Sequence, residues 1–597
     1  SQTALGVYRL VPAQMSFFER VLYVSGVNLI FALLIFLLAR VGNFMPASIR
    51  AGWTIGAWVG WSLFFVPMAR RSGASLAVGA LGIEDWVGYQ SLLEIVFALI
   101  AVVLIALLAG RTQIRTAAAA IVACVTVGSA VQVSRSEAAP LTHTPDIMII
   151  LLDTMRGDHL GANGDWEGES LTPNLDALAA ESVNFTTAFS GANGTKLALP
   201  TLFMSLPLQA LRLPIPSEAV SFPELLQDAG YYTYGASANP LMSVSFNYDQ
   251  GFNYLHDATQ SPEFLLTMIL RITARAFAAS SYKFGLADSA LYYEGTESLL
   301  RRAEGTLNEQ FGPTFIYVQT MDVHGPYLPP KEYLPEDYND ADFYSYFDFI
   351  RSGHDEADYT EANVSNMAQR YAAEVRATDA SLGRFFDKLK AMDRWDDTLI
   401  WIVSDHGDAF GEHGSKGHTA TAYGNEVIRI PFIFKPPASM DVQARDVDTP
   451  VSLYDVYPTL VSLLGLEHDN TLMGRDLTPL ITGSDDPQTV FSGNKNLQIA
   501  VKWPWKIRAD LVARDDDSIE PGIVSKNYTF KAISLYNLAD DPLELDNLVD
   551  EKPAVRAELI DEIATRQKFI NSIRPGAYSE EFDPQMREKL RSLGYVE

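Results

Sequence analysis

The hydrophobic positions of the chain fall into two regimes. In the first 135 residues, four apolar stretches at 21–39, 51–69, 91–110 and 116–133 approach the roughly 20 residues that a helix needs to cross a bilayer. Trp53, Trp58, Trp61 and Trp86 stand near the predicted span ends, where amphipathic aromatics gather. The first stretch is followed by three more spans, so it reads as part of an anchor rather than a cleaved leader. The arginines flanking the spans are near a tie between the two sides, so charge bias does not set the orientation.

After a polar linker at 136–145 the apolar runs become short. DIMIILLD at 146–153, PTFIYVQTMD at 313–322, DTLIWIVSDHG at 397–407 and PFIFKPP at 431–437 are bounded by Pro and polar residues, the pattern of strands buried on both faces. Helical stretches lie between them. TPNLDALAAES at 172–182 opens with Thr172 as N-cap and Pro173 in the first turn. A longer helix at about 366–391 spaces Met367, Tyr371, Val375, Leu382, Phe385, Phe386 and Leu389 along one apolar stripe. Strands alternating with helices predict an α/β, doubly wound, mostly parallel sheet over 146–485. From 486 to 597, alternating runs such as QIAVKWPWKIRAD and YTFKAISLYNL predict a small antiparallel subdomain closed by a helix at 553–572.

Charge sharpens this division. Residues 1–140 hold nine arginines, no lysine and five acids, a net of +4, and the other 457 residues hold 36 bases and 68 acids, a net of −32. Such an acidic soluble part excludes nucleic acid as the partner, because a phosphate backbone needs clustered Lys and Arg. The single cysteine, Cys124, lies in the fourth apolar run, which excludes internal disulfides and a Cys-rich zinc framework.

Ligands of an open α/β sheet gather beyond the carboxyl ends of its strands. Here those ends carry Asp153-Thr154, then Asp322 and His324 in MDVHGPY, then Asp405-His406 with Glu412, His413 and His418 in SDHGDAFGEHGSKGH. Four of the nine histidines sit at two strand ends. Carboxylates with imidazole suit Zn²⁺ or Mn²⁺, and carboxylates alone suit Ca²⁺ or Mg²⁺. In SGANGTKLALPTLFMSL at 190–206, a Gly-rich turn runs into an apolar helix with Thr195 at its N-terminus, where free N–H groups and the dipole favour an anion. On that segment alone, a plain helix cap is the favoured reading of Thr195.

Taken in order, LLDTMRGDHLG, TPNLDALAAESVNFTTAFS, the Thr195–Pro200 segment, MDVHGPY and SDHGDAFGEHG resemble the sulfatase branch of the alkaline phosphatase superfamily. VSLYDVYPTLVSLLGL at 451–466 and LYNLADDPLELDNLVD at 535–550 are similar to the family's later segments. Preceded by membrane spans, the domain resembles the membrane-anchored phosphoethanolamine and phosphoglycerol transferases of bacterial envelopes. The resemblance implies an alkaline-phosphatase-like fold and one divalent metal (Zn, Mn, Ca or Mg) held by Asp153, Asp405, His406 and the Thr195 oxygen. It implies Thr195 as nucleophile, with His324 and His418 holding phosphoryl oxygens or protonating the leaving group. Lys196, Lys416 and His413 would meet the anion. Thr154 stands where many sulfatases have a second metal-binding Asp, which implies fewer acidic ligands.

Sulfatases make a formylglycine from Cys or Ser in a Cys/Ser-x-Pro-x-Arg motif, and the residues here are Thr195-Lys196-Leu197-Ala198-Leu199. Threonine can attack phosphorus but cannot form that aldehyde, so phosphoryl transfer to or from an envelope phospholipid or glycan is favoured over sulfate hydrolysis. The implied location is a bacterial inner membrane, with the catalytic domain on the periplasmic or extracellular side. A sulfatase using unmodified Thr195, and a non-catalytic subunit of a membrane complex, remain the competing readings. Two segments stand outside the family pattern. Residues 262–292 read as an amphipathic helix that lies on the membrane surface or packs on the domain, and 336–363 as an acidic, aromatic lid or solvated loop.

Overall fold

A computed structural model of the chain describes residues 144–164, 166, 168–211, 213–257, 294–336, 338, 360–468, 470–484, 486–513 and 528–573. The chain divides into two compact units, Ser1–Pro140 and Leu141–Glu597. The four predicted spans, the segment 262–292 and most of 336–363 lie outside the described residues. Among the described residues, no helix is long and apolar enough to cross a membrane.

The central sheet grows from β1 (Asp146–Leu152), whose seven residues are all buried. Along the chain follow α1 (Pro173–Ala180), β2 (Val183–Phe185), β3 (Ala188–Phe189), α2 (Thr195–Phe203), α3 (Phe222–Asp228), β4 (Tyr232–Ser237) and β5 (Tyr254–Asp257). Then come α4 (Thr296–Glu309), β6 (Thr314–Thr320), α5 (Glu361–Ala391), β7 (Thr398–Val403), the short pair β8 (Ala409–Phe410) and β9 (Lys416–Gly417), α6 (Asn425–Ile428) and β10 (Phe432–Lys435). The unit continues through β11 (Arg445–Val447), β12 (Val451–Ser452), α7 (Val456–Leu464) and α8 (Thr478–Ile481).

Eight strands form one sheet in the order β11-β2-β10-β7-β1-β6-β4-β5, and β1 pairs in parallel with β6 and β7. Strand periodicity explains the two layers of core. Ile147, Ile149 and Leu151 face a cluster with α2, α3 and α7, while Met148, Ile150 and Leu152 face a cluster with α1, α4 and α5. The seven apolar positions read from the α5 sequence are all buried against that second face. Thr172 does occupy the N-cap of α1, but its hydroxyl donates to Asp176 Oδ1 instead of accepting from the helix.

One direction differs from a uniformly parallel sheet. β10 runs antiparallel to both β7 and β2. A parallel return needs a crossover of a dozen or more residues, usually a helix laid across a sheet face. The connection 404–431 holds only β8, β9, short turns and α6. It stays at the carboxyl end of the sheet, and β10 re-enters from there.

The second sheet is antiparallel, β13 (Val490–Gly493), β14 (Leu497–Lys502), β15 (Trp505–Ala513) and β16 (Tyr528–Asn537), with α9 (Pro553–Ile573) beside it. Ala500, Ile507 and Leu535 pack on Leu559 and Ile563 of α9. On the other face, Leu497, Ile499 and Val501 pack on Ala409, Tyr423, Val427 and Ile428, in the connection that follows β7.

The segment 258–293 is bracketed by a hydrogen bond between His256 Nε2 and Glu294 Oε2 at 2.6 Å. Burial alone would raise the Glu294 pKa, but His256, Ser298 and Arg302 outweigh it and hold the carboxyl at about 2 instead of 4.5. The carboxylate therefore stabilises the fold above pH 4.5, and that contribution is lost as pH falls from 4.5 toward 2. Glu294→Gln is expected to cost about 1.5–3 kcal/mol at pH 7. Chemical denaturation of variant and wild type should show the gap closing across that acid window.

Candidate active site

Parallel strands deliver their carboxyl ends to one edge of the sheet. β1 leads into Asp153, β7 into Asp405 and His406, β6 into His324 and β4 into Asn239. Gly407 lets the Glu426 backbone approach here, because a Cβ at that position would lie 2.2 Å from the Glu426 carbonyl oxygen.

Asp153, Asp405 and His406 bring one ligand atom each to within 4.8 Å of one another, and all three are buried. Asp153 Oδ2 accepts from Asn239 Nδ2 at 2.6 Å and Gln319 Nε2 at 2.8 Å. Asp405 Oδ1 accepts the N–H groups of Thr154 and His406. The other oxygens, Asp153 Oδ1 and Asp405 Oδ2, are buried without a hydrogen-bond partner. Burial, then the neighbouring Asp405, pushes the Asp153 pKa well up. His406 donates from Nδ1 to the Gly407 carbonyl at 2.9 Å, which leaves Nε2 as the lone-pair nitrogen. Two orphaned carboxylate oxygens beside an imidazole lone pair fit a divalent cation, whose charge would answer both.

Thr195 is the first residue of α2 and is 4% exposed. Its Oγ1 lies 3.3 Å from His406 Nε2 and accepts from Asn239 Nδ2 at 3.4 Å. The hydroxyl thus stands at a helix N-terminus and against the ligand group at once. Thr154, in left-handed backbone at φ 60°, turns its hydroxyl to the Asp153 and Val323 carbonyls and contributes no ligand to the group.

Three imidazoles cluster beside this centre. The His418 ring lies 4.4 Å from that of His406 and 5.4 Å from that of His324, and its Cδ2 would be 3.9 Å from a Cβ on Gly194. His418 Nδ1 pairs with Asp408 Oδ1 at 2.9 Å, and Tyr327 donates its hydroxyl to Asp408 Oδ2. Burial works against charge on His418, but the Asp408 carboxylate prevails and its pKa is raised. Burial, then His418, lowers His324 to about 4. Two histidines are thereby pushed apart, one toward a cation and one toward a neutral ring.

The remaining predicted residues separate. Lys196 is half-buried next to Thr195, and Lys416 is buried on β9. His413 faces Glu426, with Nε2 3.7 Å from Oε2, and is not in the Asp153 group. Asp322 accepts from the backbone and hydroxyl of Thr296 at the start of α4, so it caps that helix. Sequence reasoning missed Asn239, Gln319 and Asp408. Asp408 stood two residues beyond His406 in the quoted motif, but Asn239 follows β4, whose YTYGAS has no apolar run to mark a strand.

The fold and this buried centre define an enzyme of the alkaline phosphatase superfamily. A sequence profile described as Sulfatase matches residues 145–466, and the chain belongs to that family. Its curated relatives include an ulvan-active sulfatase of Formosa agariphila, 25% identical over 57% of this chain and 66% of that protein. The uncharacterized sulfatase YidJ of Escherichia coli is 24% identical over 68% of this chain and 83% of its own length. Among solved structures, the phosphonate monoester hydrolase of Agrobacterium radiobacter shares the fold, with a TM-score of 0.55 and 20% identity over 72% of this chain and 96% of that one.

Proposed function

We propose that the chain is a membrane-anchored, metal-dependent phosphoryl-transfer enzyme with Thr195 as nucleophile. It acts on phospholipid or glycan phosphoesters of a bacterial envelope, on the periplasmic or extracellular face of the inner membrane. The observation that carries this reading is the Thr195 hydroxyl itself, at the start of α2 and against the His406 lone pair. The apolar runs of residues 1–135 support the anchor.

Asp153, Asp405 and His406, with the Thr195 oxygen, would hold a divalent cation, which when bound would supply Lewis-acid chemistry to the hydroxyl and to the phosphoryl group. Asn239, bonded to both Asp153 and Thr195, fixes the position of the hydroxyl relative to the carboxylate. Thr195 gives up its hydroxyl proton to solvent, and its Oγ1 forms a bond to phosphorus as the bond to the leaving oxygen breaks in line. His418 donates its Nε2 proton to that oxygen, with Asp408 fixing the ring through Nδ1. Water then discharges the phosphothreonine in a hydrolase, and a lipid or glycan hydroxyl does so in a transferase.

After exposure to substrate and rapid acid quenching, the Thr195 peptide should carry phosphate, phosphoethanolamine or phosphoglycerol by mass spectrometry. An unmodified peptide under conditions of full turnover contradicts covalent catalysis. Asp408→Asn should lower turnover of alkyl phosphoesters about 10²-fold. The same change should barely affect p-nitrophenyl esters, whose leaving group needs no proton, a contrast that a merely structural role would not produce. The second reading, sulfuric ester hydrolysis, draws on the names of the curated relatives. Preference for sulfate over phosphate esters in side-by-side assays would establish it.

A further inference from the structure

A second set of metal-ligating side chains converges where the C-terminal sheet meets the catalytic loops. His413 in the turn between β8 and β9, Glu426 in α6 and Glu544 after β16 bring one ligand atom each to within 4.8 Å of one another. Glu426 is 6% exposed and its Oε1 has no hydrogen-bond partner. Such an orphaned, buried carboxylate oxygen is costly unless something positive meets it.

The surrounding charges leave room for a cation. Glu544 Oε2 accepts the Asn425 N–H at 2.7 Å, and its Oε1 pairs with Lys506 Nζ at 2.7 Å. The Lys506 ammonium also donates to the Tyr423 carbonyl and to Asn425 Oδ1. One ammonium therefore stands against two carboxylates, and none of its three bonds reaches Glu426. Burial raises the Glu426 pKa and outweighs the opposing pull of the His413 and Lys506 charges, so the carboxylate is only partly compensated where it sits.

We propose that His413, Glu426 and Glu544 bind a second divalent cation, of the zinc class. One imidazole with two carboxylates suits Zn²⁺ or Mn²⁺, whereas Ca²⁺ takes six to eight oxygens and Mg²⁺ keeps several of its waters. The His413 side chain is 30% exposed, so ion and water can reach the site from solvent. The cation joins three segments far apart in sequence. The β8–β9 turn leads into Lys416 and His418, the Glu426 carbonyl abuts Gly407 of the catalytic loop, and Glu544 belongs to the C-terminal subdomain. Binding there pins the loop that carries His418 to the second sheet. The site rests on its own residues and stands whether or not Thr195 is a nucleophile.

The test uses the full chain, purified in detergent, stripped with a chelator and dialysed against Zn²⁺ with elemental analysis. Wild type is expected to hold two Zn²⁺ per chain, and Glu426→Gln and His413→Asn one each. The double variant Asp153→Asn/Asp405→Asn is also expected to hold one, and Zn²⁺ should raise its melting temperature. Adding His413→Asn to that background should weaken the remaining site by more than about 100-fold, beyond the 10–100-fold typical of losing an outer partner of a ligand. If Glu426→Gln fails to fold, the partly exposed His413→Asn still decides. The inference is overturned if wild type binds no ion, if the Asp153→Asn/Asp405→Asn variant binds none, or if His413→Asn leaves the Zn²⁺ affinity of that variant unchanged. A failure of the Asp153 centre alone would read differently, as one ion in wild type that the Asp153→Asn/Asp405→Asn variant keeps and His413→Asn loses.

Discussion

Thr195→Ala is expected to lower kcat for phosphate mono- and diesters by at least about 10⁴-fold, the scale on which removal of a nucleophile acts. The fold should survive the change. Thr195 is buried at the head of α2, and the lost hydroxyl leaves Asn239 and His406 each short of one contact, a cost of about 1–3 kcal/mol. Cation binding should persist through Asp153, Asp405 and His406, which separates loss of chemistry from loss of the centre. Thr195→Ser keeps the hydroxyl and should retain phosphoryl turnover. Steady-state kinetics with elemental analysis of each variant check this result. Undiminished turnover by the alanine variant would remove Thr195 from the mechanism.

Asp153→Asn is expected to produce two opposite effects. Asp153 and Asp405 are both fully buried, and each holds an oxygen that no donor meets. Without a cation these carboxylates repel across a short distance, so replacing one by a neutral amide should raise the melting temperature of metal-free protein. The amide oxygen can still accept from Asn239 and Gln319. With a cation the sign reverses. Wild type should gain about 2.7 kcal/mol at a free metal concentration 100 times the dissociation constant, and the variant should gain nothing at this centre. Activity should fall by about 10³-fold or more, since the Lewis acid contributes several kcal/mol to the transition state. Calorimetry with and without metal reads both arms. A variant that loses stability in the absence of metal would show that Asp153 serves mainly as an acceptor for Asn239 and Gln319.

Much of the sheet was legible because β1, β6 and β7 are buried on both faces, which leaves unbroken apolar runs in the sequence. β4 was not, since its Thr233 and Ser237 satisfy their hydroxyls by contacts that no local pattern announces. Thr233, for example, bonds to Asn253 across 20 residues. The direction of β10 was hidden for a related reason. Its four residues look alike in either orientation, and the short connection 404–431 decides the matter.

For the site, the sequence by itself determined the chemistry: carboxylates and imidazoles at strand ends, a threonine at the head of an apolar helix, and no cysteine outside the first 135 residues. Those features follow from residue types and local periodicity. Tertiary structure alone decided which of them meet. His413 and His418 lie five residues apart in one Gly-rich string, yet His418 reaches Asp408 while His413 faces Glu426 and Glu544. Positive φ at His413, Gly414 and Gly417 turns the chain between them. Their partners include a residue about 130 positions away, brought in by the second sheet packing behind the first. A sequence records what each side chain can do, but its neighbour is set by packing between segments that the sequence keeps apart.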